Sequence, residues 1–233
     1  VQNIVEIIAD PHGDGRNKDF WDQSAKSVLV GLILHVLYAE EEKTLKRVFE
    51  LLADFDQTIK QMESTYHLQN PFTGAPETHP AVARGAKSYR TYHDKLRAGI
   101  KATAESYLTL FDDPLIQKHT KRSDFSIDDL MCAERPVTLY LSWPPAEVLR
   151  LKPAIRLVLA PILFGLTERQ DEGKRGGEKN HPLLLLLDEF PQLGKLDFFE
   201  KAMGAMAGYD IRAFLVAQSL NNINQAYGAR NTI

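Results

Sequence analysis

Five consecutive leucines, Leu183–Leu187, run straight into two carboxylates, Asp188 and Glu189. A run this short and apolar on both faces predicts a strand in the middle of a parallel sheet, where both faces are covered. The residues after it agree. Leu196–Ala207 has helical spacing, Arg212–Ala217 reads as a second strand, and Ser219–Tyr227 as a helix with Ser219 at its N-cap. Strand, helix and strand in so short a stretch make a βαβ unit. Upstream, Val137–Leu141 predicts a further buried strand closed by Pro144-Pro145. Pro153 suits the first position of a helix that runs to about Gln170 and is kinked at Pro161. The Gly-, Lys- and Glu-rich stretch Asp171–Asn180 reads as a loop.

Before about residue 130 the period is helical. Phe20, Ala25, Val28, Leu29, Leu32 and Val36 share one face, with Asn17 or Asp19 as N-cap. Thr44 opens a second helix through Val48 and Leu52, and Asp56 a third through Ile59 and Met62. Gln69–Pro80, punctuated by Pro and Gly, is a loop. One long helix is expected from Ala81 to Phe111, stopped by Asp113-Pro114, and Ser126–Asp129 has capping-box spacing. The fold class is therefore α/β, with an all-α part followed by part of a parallel-sheet domain.

Composition excludes several classes. The 233 residues are 44% hydrophobic and 25% charged, which is globular rather than disordered. Lys+Arg 28 against Asp+Glu 31 gives −3, so the chain is no uniformly basic nucleic-acid coat. The single Cys132 cannot form an internal disulfide and reads as a small buried residue. Val28–Ala39 and Ile155–Leu166 are too short to span a bilayer, and they carry His35 and Arg156. No secretory signal is visible, and the ends at Val1 and Ile233 read as those of a segment from a longer chain.

Open parallel sheets bind ligands at the carboxyl ends of their strands, where Asp188 and Glu189 emerge. In a nucleotide-hydrolysing site the first carboxylate holds Mg²⁺, usually through water, and the second takes a proton from the attacking water. Gln218, at the end of the next strand, is placed to orient that water. The phosphate cradle is absent: no window matches G-x-x-x-x-G-K-[ST]. Gly85-Ala86-Lys87-Ser88 lacks a glycine before the lysine, and Gly194-Lys195-Leu196 fails as well.

The run Leu183–Phe190 with Pro191-Gln192-Leu193-Gly194, then Ala217-Gln218-Ser219 and Tyr227-Gly228, resembles the TraG branch of type IV secretion coupling proteins. Phe20-Trp21-Asp22, Asp112-Asp113-Pro114 and Tyr140–Pro145 extend the likeness over nearly the whole chain. The resemblance implies a membrane-anchored, ATP-driven motor at the cytoplasmic face of the bacterial inner membrane. It implies that residues 1–14 belong to a RecA-like nucleotide-binding domain, 15–127 to an all-α insertion domain, and 128–233 to the later part of the RecA-like domain. Asp188 and Glu189 match the Walker B carboxylates and Gln218 the motif III glutamine. ATP and Mg²⁺ are the implied cofactors of the whole protein, with none expected on this segment alone. Implied partners are relaxase or relaxosome with single-stranded DNA, secreted effector proteins, the secretion channel and five further copies in a hexamer. Ala207 stands where some relatives carry an arginine, so no arginine acting across the ring is assigned. The alternative is a substrate-docking module without ATPase activity of its own.

Weaker signals remain. Arg84, Lys87, Arg90, Arg97 and Lys101 fall along one face of the expected long helix, as a contact for DNA or protein or as its wetted face. Lys118–Arg122 reads as an exposed connector or a second such contact. Tyr89, Tyr92 and Tyr107 have core spacing before any role in base stacking. Asp10, His12 and Asp14 read as a polar turn rather than a metal site, and Trp21 as a core anchor.

Overall fold

A computed structural model describes residues 1–10, 19–167 and 179–228. It divides into two compact units, Val1–Asp10 with Gly15–Arg122, and Pro11–Asp14 with Ser123–Ile233.

The first unit is helical: α1 (Gln2–Ala9), α2 (Phe20–Ala39), α3 (Leu45–Ala53), α4 (Phe55–Ser64), α5 (Pro80–Thr91), α6 (Asp94–Leu108) and α7 (Pro114–Thr120). Its axis is α2, which packs against α1, α3, α5 and α6. Ala25, Leu29 and Leu32 of α2 meet Leu52, Met62, Ile100 and Leu108 in the fully buried core. Each such large side chain contributes about 1.5–3 kcal/mol by leaving water. The crossing of α2 and α5 is close because Gly31 faces Gly85. A Cβ on Gly85 would lie 3.2 Å from the Ser27 carbonyl oxygen.

Local chemistry sets the helix starts. Asp19 accepts from the Asp22 N–H at 2.9 Å and Thr44 Oγ1 from the Arg47 N–H at 3.1 Å, as the sequence predicts for both caps. Asn17 lies outside the described residues. Asp113 accepts from the Leu115 N–H at 2.8 Å with Pro114 next in line, so the dipeptide expected to stop one helix starts another. Lys118–Thr120 are accordingly helical.

Two expectations for this unit change. The single helix over 81–111 is two, α5 and α6, because Tyr92 (ψ 148°) and His93 (ψ 156°) are extended. The Tyr92 ring packs edge-on against Phe20 at 5.6 Å, and Asp94 begins α6 with its charge beside the positive helix end. Inside the loop over 69–80, β1 (Leu68–Gln69) and β2 (Pro76–Glu77) pair antiparallel. Asn70 ties the tip of this hairpin, its side chain accepting from the Phe72 and Thr73 N–H groups. At the start of the chain, α1 packs on α2 and α6, with Lys26 on Glu6 at 2.6 Å. Trp21 lies over Gly99 but keeps 37% of its surface exposed.

The second unit holds α8 (Asp129–Cys132), α9 (Val148–Thr167), β3 (Leu183–Leu187), α10 (Asp197–Met206), β4 (Ile211–Leu215) and α11 (Leu220–Tyr227). β3 and β4 are parallel, from Leu183 opposite Ile211 to Leu187 opposite Leu215, which is the expected βαβ unit. Asp129 accepts from the Ser126 N–H at 2.8 Å, and Ser126 Oγ accepts from the Asp128 N–H at 3.4 Å, so only half of the expected capping box forms between Ser126 and Asp129. Ile155, Leu159, Leu163 and Leu166 of α9 form a core with Leu193, Leu196 and Phe199.

The sheet falls short of the expectation that β3 is covered on both faces. Among the described residues it has two strands, and Leu184 (61%), Leu186 (61%) and Phe214 (58%) stay exposed. Val137–Leu141 belongs to no strand or helix, no described strand pairs with it, and Tyr140 is 87% exposed. The helix expected from Pro153 begins earlier, at Val148, after a 3-10 turn opened by Pro145, and Pro153 sits inside it. Its continuation past Thr167 and most of the loop over 171–180 fall outside the described residues. Cys132 is half-buried rather than buried.

Candidate functional site

The parallel ladder continues past both strands. The Val216 N–H donates to the Leu187 carbonyl at 3.0 Å, and the Phe190 N–H donates to the Val216 carbonyl at 3.0 Å. These two bonds clamp the Asp188-Glu189 turn against the end of β4. Asp188 is exposed and its Oδ1 accepts from the Glu189 N–H at 3.1 Å.

Glu189 is left-handed, with φ 50° and ψ 38°. A side chain there costs about 1–2 kcal/mol and persists only where its surroundings hold it. The holding groups are identifiable. The Gln192 N–H donates to the Glu189 carbonyl at 2.8 Å, closing a 3-10 turn over Phe190–Leu193. Phe190, 1% exposed, stacks on Tyr227 at 5.3 Å and leans on Phe199 at 5.4 Å. The Gln192 side-chain Nε2 donates to Glu189 Oε2 at 3.4 Å. The reversal leaves the Glu189 side chain half-buried beside an exposed Asp188.

Gln218 follows β4 at the same edge, exposed, one residue before Ser219 caps α11 through the Asn222 N–H. At its far end, α11 brings Tyr227 under Phe190, and the Tyr227 hydroxyl accepts from the Leu196 N–H at 3.3 Å. So α11 starts beside Gln218 and ends beneath the Glu189 turn. Arg156 of α9, buried at 4% exposure, donates through Nη1 to the Lys195 carbonyl at 2.7 Å, steadying the chain after that turn. Sequence reading missed Gln192 and Arg156 as supports. The one available signal was a charged residue inside the apolar run Ile155–Leu166.

The edge thus offers two carboxylates and a neutral amide. Among the described residues no three His, Cys, Asp or Glu side chains group as metal ligands. One carboxylate with free surroundings suits Mg²⁺, which keeps most of its waters and is bound with substrate phosphates rather than by a protein cage. The residues present fit such an ion.

The basic stripe is largely occupied within the helical unit. Arg90 pairs with Glu63 at 2.7 Å, Arg97 with Asp56 at 3.2 Å and with Asp94, and Lys101 donates to the Ala53 carbonyl at 2.9 Å. Arg84 and Lys87, both on α5, are exposed and form no ion pair with a described residue. Tyr89 is buried against Phe55 at 4.7 Å, and burial pushes its phenol up to about 12. Tyr107 is half-buried and donates to Asp22, and burial first and this bond second raise its phenol as well. Of the residues considered as a metal turn, His12 and Asp14 lie outside the described residues.

Comparison with known proteins decides the lineage. The family described as "Type IV secretory system Conjugative DNA transfer" matches residues 1–232. The chain belongs to this family. Among its relatives, conjugal transfer protein TraG of Escherichia coli is 32% identical over 229 residues, covering 96% of this chain and 36% of TraG. Protein VirD4 of Rhizobium radiobacter is 38% identical over 120 residues, covering 52% of this chain and 17% of VirD4. The chain therefore spans about a third of the length of its TraG relatives. The solved conjugative coupling protein TrwB shares the fold, with TM-score 0.66 at 17% identity over 98% of this chain and 48% of that one. A second TrwB structure, with a non-hydrolysable GTP analogue, aligns at TM-score 0.64. No helix among the described residues is long and apolar enough to cross a membrane.

Proposed function

We propose that this segment supplies the acidic, water-activating edge of an ATP-driven motor in a conjugative type IV coupling protein. The observation that carries the reading is Glu189. A half-buried carboxylate is held in a left-handed turn by Gln192 and Phe190, between Asp188 and the strand end that leads to Gln218. A turn that costs conformational energy at a non-glycine residue marks a position where side-chain direction matters.

In this reading Asp188 holds the waters of a Mg²⁺ ion, Glu189 accepts the proton of the attacking water, and the Gln218 amide orients that water. Mg²⁺, when bound, neutralises charge on the triphosphate oxygens. Gln192 helps aim the Glu189 carboxylate by donating to it. The phosphate-binding loop comes from a part of the protein outside this chain, since no window here has that pattern. The second unit is then the later part of a RecA-like nucleotide-binding domain and the first an all-α insertion. Hydrolysis in a hexameric ring, at the cytoplasmic face of the inner membrane, would move relaxase-linked single-stranded DNA or effector protein into the channel. Arg84 and Lys87 are the basic residues of the stripe left open for such a substrate.

A second reading, docking alone, is favoured by the missing phosphate loop. In the full-length protein, Glu189→Gln separates the two. The motor reading expects steady-state ATP turnover to fall about 100-fold or more with nucleotide affinity retained. Turnover equal to wild type would overturn the role of Glu189 and leave docking.

A further inference from the structure

Within the helical unit, two buried histidines face each other. His35 on α2 is 2% exposed, His67 before β1 is 9% exposed, and His35 Nδ1 lies 2.9 Å from His67 Nε2. The protons on this pair can be assigned from its neighbours. The backbone N–H of His79, which precedes α5, points at His67 Nδ1 at 3.4 Å, so that nitrogen is the acceptor. His67 therefore carries its proton on Nε2 and donates it to His35 Nδ1. His35 in turn carries its proton on Nε2, which faces Glu40 Oε1 at 3.8 Å. Glu40 is fixed by Arg47 at 3.0 Å. The result is a one-way relay from the His79 backbone through two neutral rings, ending at an N–H that faces the Glu40 carboxylate beyond hydrogen-bond distance.

This relay has no place for an extra proton. Protonating His35 puts an N–H on Nδ1, head-on to the His67 Nε2–H. Relieving that clash by moving the His67 proton to Nδ1 sets it against the His79 N–H. Either way a link breaks. The charged or titratable groups facing the pair are Glu40 and Arg47 beside His35, and His79 beside His67. Glu40 favours a cation on His35. Burial opposes one on both rings and dominates, with Arg47 adding to it at His35 and the neighbouring histidines at His67.

We infer that the His35–His67 relay is a proton-sensitive latch that holds the 67–79 hairpin, with the 94%-exposed Phe72 at its tip, onto α2 at neutral pH and releases it on acidification. The sign follows from the depressed ring affinities. Both rings bind protons less readily folded than unfolded, so the latch is fully closed above the ordinary histidine range near 6.5 and weakens as the pH falls below it. Where both rings load together, the opening constant rises up to about 100-fold per pH unit, against about tenfold for one ring.

The test is nitrogen-15 NMR of the whole chain with labelled histidine, followed by amide exchange of residues 67–79 between pH 8 and 5. The latch predicts two neutral, Nε2-protonated rings at pH 7.5, and hairpin protection factors, with exchange corrected for its intrinsic pH dependence, that fall in the same window in which the pair titrates. His67→Gln keeps an amide donor towards His35 but binds no proton, and should reduce the steepness to that of one ring. An imidazolium at either position at pH 7.5, independent titration at the ordinary histidine value, or hairpin protection factors indifferent to pH overturn the latch. Should His67→Gln fail to fold, the wild-type ring spectrum and exchange profile still decide.

Discussion

The helical unit and the sheet unit solve the same problem with different completeness. In the helical unit α2 is surrounded, the starts of α2, α3, α5 and α7 are capped by side chains, and three of the five stripe cations are tied to neighbours. In the sheet unit, among the described residues, two paired strands leave Leu184, Leu186 and Phe214 exposed, and no described strand pairs with Val137–Leu141. Its ordered heart is smaller and sits under the Glu189 turn, where Phe190, Phe199 and Tyr227 meet. The contrast separates two uses of apolar surface. Within this segment, one unit buries its apolar surface around α2, and the other gathers a smaller cluster beneath the left-handed Glu189 turn.

Mutations at the two ends of that contrast should differ widely. Leu32→Ala, at a fully buried position of α2, is expected to cost about 2–5 kcal/mol, read by urea denaturation with helical circular dichroism. A loss under 1 kcal/mol would show that the helical core is loose. Next, Tyr227→Phe keeps the ring on Phe190 but removes the acceptor for the buried Leu196 N–H. It should cost about 1–3 kcal/mol in the same assay, with loss of amide protection at Leu196. Thr44→Ala removes the α3 cap and should cost about 1 kcal/mol, without altering exchange in the sheet unit. Smallest of all, Leu184→Thr on the exposed face of β3 should change stability by no more than about 0.5 kcal/mol. A large loss there would mean the face is covered, and the comparison between the units would fail.

What could be read from the sequence follows the range of the forces involved. Caps at Asp19, Thr44 and Ser219 act over three residues, and each forms as its local pattern predicts. The β3–α10–β4 order is also visible, because five leucines followed by a helical period leave few alternatives. The break at Tyr92-His93 was not visible. No Gly or Pro marks it, and the Tyr92 ring is held by Phe20, more than seventy residues away in the chain. Val137–Leu141 has strand chemistry, but a strand exists only beside another strand. Pro153 has the chemistry of a first helical residue, yet the turn over Pro145–Glu147 starts the helix sooner.

The site divides the same way. Asp188, Glu189 and Gln218 were legible because a strand's carboxyl end is a local fact, and the parallel register brings both strand ends to one edge. The left-handed turn at Glu189, the Gln192 contact and the Tyr227 support depend on how α11 returns beneath Phe190. No pattern within a few residues encodes that return.

The central claim is that this segment holds the acidic half of a nucleotide site whose phosphate-binding half lies elsewhere in the protein. Calorimetric titration of Mg-ATP into this chain and into the full-length protein tests it most directly. The account predicts saturable binding by the full-length protein and no measurable heat of binding with this chain alone. Equal affinity in both would contradict it, because the chain would then contain a complete nucleotide site and the division of labour proposed for Asp188, Glu189 and Gln218 would be wrong.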